Sequence, residues 1–108
     1  MPSPVAGLFG KADVPAAADT DLYTVPAGLW ATVNFYMVNR TAAPIAVRWM
    51  VRSGALADSD FMEYDTVLPG NGVLRETGVP VSAGEIVTVR AAAVGCTAQV
   101  RGFEEAVL

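Results

Sequence analysis

Turn-forming residues divide this chain so finely that no stretch between them is long enough for an amphipathic helix. They fall at Pro26-Ala27-Gly28, Asn39 to Pro44, Ser53-Gly54, Pro69-Gly70-Asn71-Gly72, Gly78 to Gly84 and Gly95. The runs they cut out are rich in valine, threonine and aromatic residues, which suit a pleated surface, and read as strands over 21–25, 29–39, 45–52, 61–68, 73–77, 85–92 and 96–104. Seven to eight short antiparallel strands at this spacing predict an all-β fold, a single-domain β-sandwich of jelly-roll-like type. The one helical expectation is a single turn within Ala55–Asp60. At 108 residues the chain suffices for one two-layer core and is too short for two.

The stretch from Leu22 to Asn39 organises the rest. Two β-type runs flank Pro26-Ala27-Gly28, where proline presets φ and glycine accepts a positive φ, so a hairpin or strand corner is expected there. Alternation in the second run puts Ala31, Val33, Phe35 and Met37 on one face and Trp30, Thr32, Asn34 and Tyr36 on the other. Aromatic residues on both faces of one strand predict that the outer face meets a partner. In 45–52 the same rule assigns Ile45, Val47, Trp49 and Val51 to the core and Ala46, Arg48, Met50 and Arg52 to the outside. Glu63 and Asp65, two apart, are expected to share a face and to pair with Arg48 or Arg52 across strands.

Residues 1–19, with Pro2, Pro4 and Pro15, read as an extended N-terminal arm, and 20–108 as the sandwich. A short β-type piece around Leu8 to Val14 is expected to add to a sheet edge, in an oligomer a neighbour's.

Composition narrows the function. Apolar residues make up 53% of the chain and charged residues 17%, against roughly 25% in an ordinary soluble domain, so much of the surface is small and neutral or covered by a partner. The net charge is −4, with the six arginines scattered among acids, which argues against a nucleic-acid partner. No run approaches the ~20 apolar residues of a membrane span, and the N-terminus has neither a basic start nor an apolar core, so a soluble cytoplasmic product with no membrane partner is expected. The single cysteine, Cys96, reads as a buried thiol.

Catalytic and metal chemistry find little support. The chain has no histidine, which removes imidazole bases, histidine-containing triads and histidine metal sites. The acidic run Asp58-Ser-Asp60-Phe-Met-Glu63-Tyr-Asp65 lacks the spacing and the glycine of a calcium loop, and Glu63 with Asp65 reads as a charged outer face in preference to an acid/base pair. Glycines are single and turn-placed, with no phosphate-cradling run, so no cofactor is implied.

In their order along nearly the whole chain, several short motifs resemble small virion structural proteins of tailed bacteriophages. They are Leu22-Tyr-Thr-Val-Pro-Ala-Gly28 leading into Ala31-Thr-Val33, then Asn39-Arg-Thr41, Glu63-Tyr-Asp65, Leu68-Pro-Gly-Asn-Gly-Val-Leu74, Glu76-Thr-Gly78, Ser82-Ala-Gly-Glu85, Val87-Thr-Val-Arg-Ala91 and Gly102-Phe-Glu-Glu105. Leu29-Trp30 and Asn34-Phe-Tyr-Met37 depart from the simplest pattern. The resemblance implies a β-sandwich with no catalytic residues, placed on the virion and assembled in the host cytoplasm. Its first implied role is a head decoration, or cement, protein that binds the assembled lattice. The alternative is a head-fibre, tail-fibre or baseplate module that binds a receptor or glycan through Trp30 or Tyr36. The expected partners are other copies of the chain, most simply in a trimer, and the major capsid protein or another virion protein. The contact residues expected from this reading are Leu8, Val14, Trp30, Tyr36, Arg48, Met50 and Arg52.

Overall fold

A computed structural model describes residues 3–107 as two four-stranded antiparallel sheets packed face to face. The strands are β1 (Ala6–Asp13), β2 (Thr20–Thr24), β3 (Leu29–Asn39), β4 (Ile45–Arg52), β5 (Phe61–Leu68), β6 (Val73–Val81), β7 (Ile86–Ala91) and β8 (Cys96–Ala106). One sheet has the order β1-β8-β3-β6 and the other β2-β7-β4-β5. They are called here the β3 sheet and the β4 sheet. Every connection except β4–β5 crosses between sheets, which is the winding of a jelly roll. A single 3-10 turn, Asp58–Asp60, falls inside the one stretch expected to be helical.

The alternation of β3 holds along its whole length. Ala31, Val33, Phe35 and Met37 are fully buried between the sheets. Opposite them lie Ile45, Val47 and Trp49 of β4 and Val87, Val89 and Ala91 of β7, with Cys96, Ala98 and Val100 of β8 closing the layer. At its centre the rings of Phe35 and Trp49, from the middle strands of the two sheets, stack with centroids 4.6 Å apart and planes 6° apart. Cys96 is buried, and burial raises its thiol above the ordinary range, which suppresses the thiolate.

Three expectations change and one, the third below, narrows. The segment read as an arm supplies β1, which pairs along its length with β8 of its own chain; residues 1 and 2 lie outside the described residues. Phe9 and Ala12 pack against the core, so burial holds the strand in place. Gly10 makes this possible, because a side chain there would collide with the Leu22 carbonyl where the β1 and β2 edges close together. Second, Gly78 begins no turn: it forms a bulge inside β6, with φ of 71° and its N–H donated to the Asn34 side chain. Third, of the hairpin and the corner expected at Pro26–Gly28 it is the corner that forms, and Pro69–Gly72 is likewise a corner between sheets. Fourth, Glu63 and Asp65 do not share a face, as described below.

Asn39 locks the β3–β4 connection to the corner between β5 and β6. It is fully buried; its amide donates to the carbonyls of Ala43, Leu68 and Pro69, and its oxygen accepts from the N–H and hydroxyl of Thr41. Thr41 in turn receives the Asn71 N–H. Asn39→Leu should cost about 3 kcal/mol, because it strands several buried partners at once. The urea midpoint at unchanged m-value checks this, and a loss under about 1 kcal/mol would mean that water replaces the amide.

Candidate interaction surfaces

Pairing register arranges the outer face of the β3 sheet as a grid. One complete row, from β1 across to β6, is Lys11, Gln99, Tyr36 and Arg75. The next rows are Leu8, Arg101 and Asn34, then Ala6, Phe103, Thr32 and Pro80, with Trp30 and Glu105 beyond them. Val38 and Val73 stand at the other end beside Thr97 and Asp13. Leu8, Trp30, Phe103 and Val73 are all exposed.

Charge is distributed unevenly between the two sheets. Four arginines pair with aspartates: Arg48 with Asp65, Arg52 with Asp21, Arg90 with Asp19, and Arg40 with Asp13. The first three pairs cover the outer face of the β4 sheet. The remaining cations, Lys11, Arg75 and Arg101, have no carboxylate partner among the described residues, and all three lie on the outer face of the β3 sheet. Arg75 sits over the Tyr36 ring at 5.9 Å, and Arg101 donates to Gln99 at 2.9 Å. Of the acids without a cation partner, only Glu105 shares this face. An acidic protein therefore presents one face that is both apolar and cationic.

The contact residues expected from the sequence divide accordingly. Leu8, Trp30 and Tyr36 come together on the β3-sheet face. Arg48 and Arg52 stand on the opposite sheet, already bound to aspartates. Val14 is 2% exposed and belongs to the core, because its N–H pairs with Cys96 and draws the chain inward after β1. Met50 keeps its outward position opposite Thr88, with Phe61 of β5 as its other cross-strand neighbour, yet it is completely buried. Neither can serve as a contact residue. Sequence reasoning missed Phe103, Lys11, Arg75 and Arg101, since only the register of β1, β6 and β8 against β3 gathers them.

A bulge in β5 builds a second cluster. Glu63 opposes Trp49 and Thr66 opposes Val47, so Tyr64 and Asp65 together face Arg48 alone, with Asp65 at φ of 53°. Glu63 thus turns inward beside Trp49, while Tyr64 and Asp65 both point out. Arg48 binds Asp65 through two bonds of 2.7 and 3.1 Å and lies 4.0 Å from the Tyr64 ring centre. Phe61 meets Tyr64 edge-on at 4.8 Å. The Arg48 bond holds the Asp65 carboxyl below the usual carboxylate range, and Arg52 does the same for Asp21. Their stabilisation is present at neutral pH and fades as pH falls through those lowered values.

The buried carboxylate of Glu104 joins the two sheets at the closed edge. It accepts from the Tyr23 hydroxyl at 2.5 Å and the Val5 N–H at 3.1 Å, while Tyr23 stacks on Phe9 of β1. Among the described residues no group of three or more Cys, Asp or Glu side chains is placed to hold a metal, and no helix is long and apolar enough to cross a membrane. Comparison with known proteins yields no matching family model, curated protein or solved structure.

Burial, then the hydrogen bond to Glu104 and its charge, raise the Tyr23 phenol well above its ordinary value near 10. A raised value means that this stabilisation is intact below about pH 10 and is lost above it, where the unfolded chain releases a proton that the folded chain keeps. Tyr23→Phe should accordingly lose less stability than the parent between about pH 9 and about pH 11 in urea titrations. Parallel losses would show that Tyr23 carries no linkage.

Proposed function

We propose that this chain is a non-enzymatic structural protein of a tailed-bacteriophage virion, a decoration protein that docks on the assembled head lattice through the outer face of its β3 sheet. The observation that carries this reading is the gathering of Lys11, Arg75 and Arg101 with Leu8, Trp30 and Phe103 on one side of an acidic molecule. Such a face fits an acidic protein surface with apolar recesses: the aromatic groups supply area, and the cations supply register and approach rate. Three cations are too few for a tight nonspecific grip on phosphate, so a protein partner fits better than nucleic acid. The motif order along the sequence adds support, and the jelly-roll winding is compatible with capsid roles without implying them.

A decoration protein acts by binding the assembled lattice in preference to its free subunits, which shifts the equilibrium towards the closed shell. Self-association as a small oligomer, most simply a trimer, belongs to the same reading, because symmetric copies bring several weak faces to one lattice site.

Quantitative gel densitometry of particles against their major capsid protein should give hundreds of copies, and particles lacking the protein should lose heat resistance. Lys11→Glu with Arg101→Glu should lower occupancy at least tenfold while leaving the melting temperature of the free protein within a few degrees, since both side chains are exposed and neither has a carboxylate partner among the described residues. Copy numbers in the single digits, or full occupancy by the double variant, would overturn lattice docking through this face.

A further inference from the structure

We propose that the outer face of the β4 sheet carries a carbohydrate-binding site centred on Tyr64, able to take two adjoining sugar units of an oligosaccharide. Tyr64 is 58% exposed, but it is not a loose side chain. Arg48 covers one side of its ring, Asp65 fixes Arg48 through two hydrogen bonds, and Phe61 braces the ring edge-on. The β5 bulge, with Asp65 held at a positive φ, is what turns Tyr64 and Asp65 to the same side. An exposed aromatic ring immobilised in advance loses little further entropy on binding, and bulges recur where a side chain must be re-aimed for function.

Two hollows adjoin this cluster. One, of about 280 Å³, is lined by Asp58, Phe61 and Tyr64. The other, of about 360 Å³, is lined by Ala17, Ala46 and Ala92 together with Arg48, Asp65 and Arg90. The Arg48–Asp65 pair borders the second hollow and braces the tyrosine of the first, which places the two side by side. In the first, an aromatic ring stands beside the Asp58 carboxylate, which makes no hydrogen bond or ion pair within the described chain. A flat apolar surface next to a free acceptor matches a sugar ring, whose C–H face stacks while its hydroxyls donate. In the second, small alanines leave room for the next ring, and two arginines with a carboxylate offer both donors and acceptors to its hydroxyls.

A protein partner is the weaker fit. It would favour a broad apolar patch with unpaired cations, as on the β3 sheet, whereas here both arginines are already bound to aspartates and the one free charge is the Asp58 carboxylate. The site lies on the sheet opposite the proposed lattice contact, so both faces can be occupied at once, and the inference stands independently of virion docking.

The test is an array of immobilised neutral and acidic hexasaccharides probed with the purified wild-type protein, followed by calorimetry on any binder. At least one oligosaccharide should bind, with affinity falling about tenfold or more in Tyr64→Ala and in Asp58→Asn, and unchanged in Trp30→Ala. Circular dichroism of each variant separates lost binding from lost fold, and Asp58→Asn, at an exposed position, preserves the test should Tyr64→Ala unfold. No bound oligosaccharide, binding indifferent to Tyr64 and Asp58, or a protein ligand weakened by Tyr64→Ala would each overturn the proposal.

Discussion

The stack of Phe35 on Trp49 sets the geometry on which both outer faces depend. The two rings come from the middle strands of opposing sheets and lie nearly parallel, so they fix the separation and lateral offset of the layers at their centre. The arrangement carries a cost, because the Trp49 indole N–H is buried without a hydrogen-bond partner. A stranded donor is worth about 1–3 kcal/mol against stability, whereas truncating a buried aromatic residue costs about 3–5 kcal/mol, so the apolar contact prevails. With the layers pinned there, the pleat of β3 directs Tyr36 to the outside of its sheet. Trp49 likewise sets its neighbours, placing Arg48 outward against β5.

What the sequence made legible follows from which structural rules are local. A period of two is local, and the inward face of β3 and most of β4 could be read directly. Turn chemistry is also local in its residue types, so Pro26–Gly28 and Pro69–Gly72 were recognisable as breaks. The strand that follows such a break depends on distant partners, and both breaks proved to be corners between sheets. Gly78 shows the same limit: its positive φ suits a turn or a bulge equally, and only the Asn34 side chain, 44 positions away, determines which.

The candidate surfaces were less legible for the same reason. Tyr36 and Arg75 are neighbours only because β6 pairs with β3, and Lys11 joins them only through β8. Alternation alone placed Glu63 with Asp65, yet one extra residue opposite Arg48 moves Glu63 inward and gives Asp65 a tyrosine for company. Met50 was assigned to the correct side of its strand. Its complete burial depends on residues outside its own strand, which no periodicity within 45–52 can encode. The predicted Arg48–Asp65 pair did form, because opposite charges on adjacent strands need only approximate register.

The strand edges are poorly suited to pairing with another strand. At the open side of the sandwich, β5 and β6 each turn a carboxylate inward: Glu63 beside Trp49 and Glu76 beside Phe35. A strand added to either edge would bury these charges, and β6 further carries Pro80 and the Gly78 bulge, which interrupt the row of available N–H groups. At the other side, β1 and β2 close on each other over Gly10, and Glu104 ties Tyr23 to the backbone of Val5. Both borders are thus sealed by charge, ring or contact. The two proposed surfaces, the cationic β3-sheet face with Leu8, Trp30 and Phe103 and the Tyr64-centred hollows of the β4 sheet, therefore lie on opposite faces of the sandwich and away from its sealed borders.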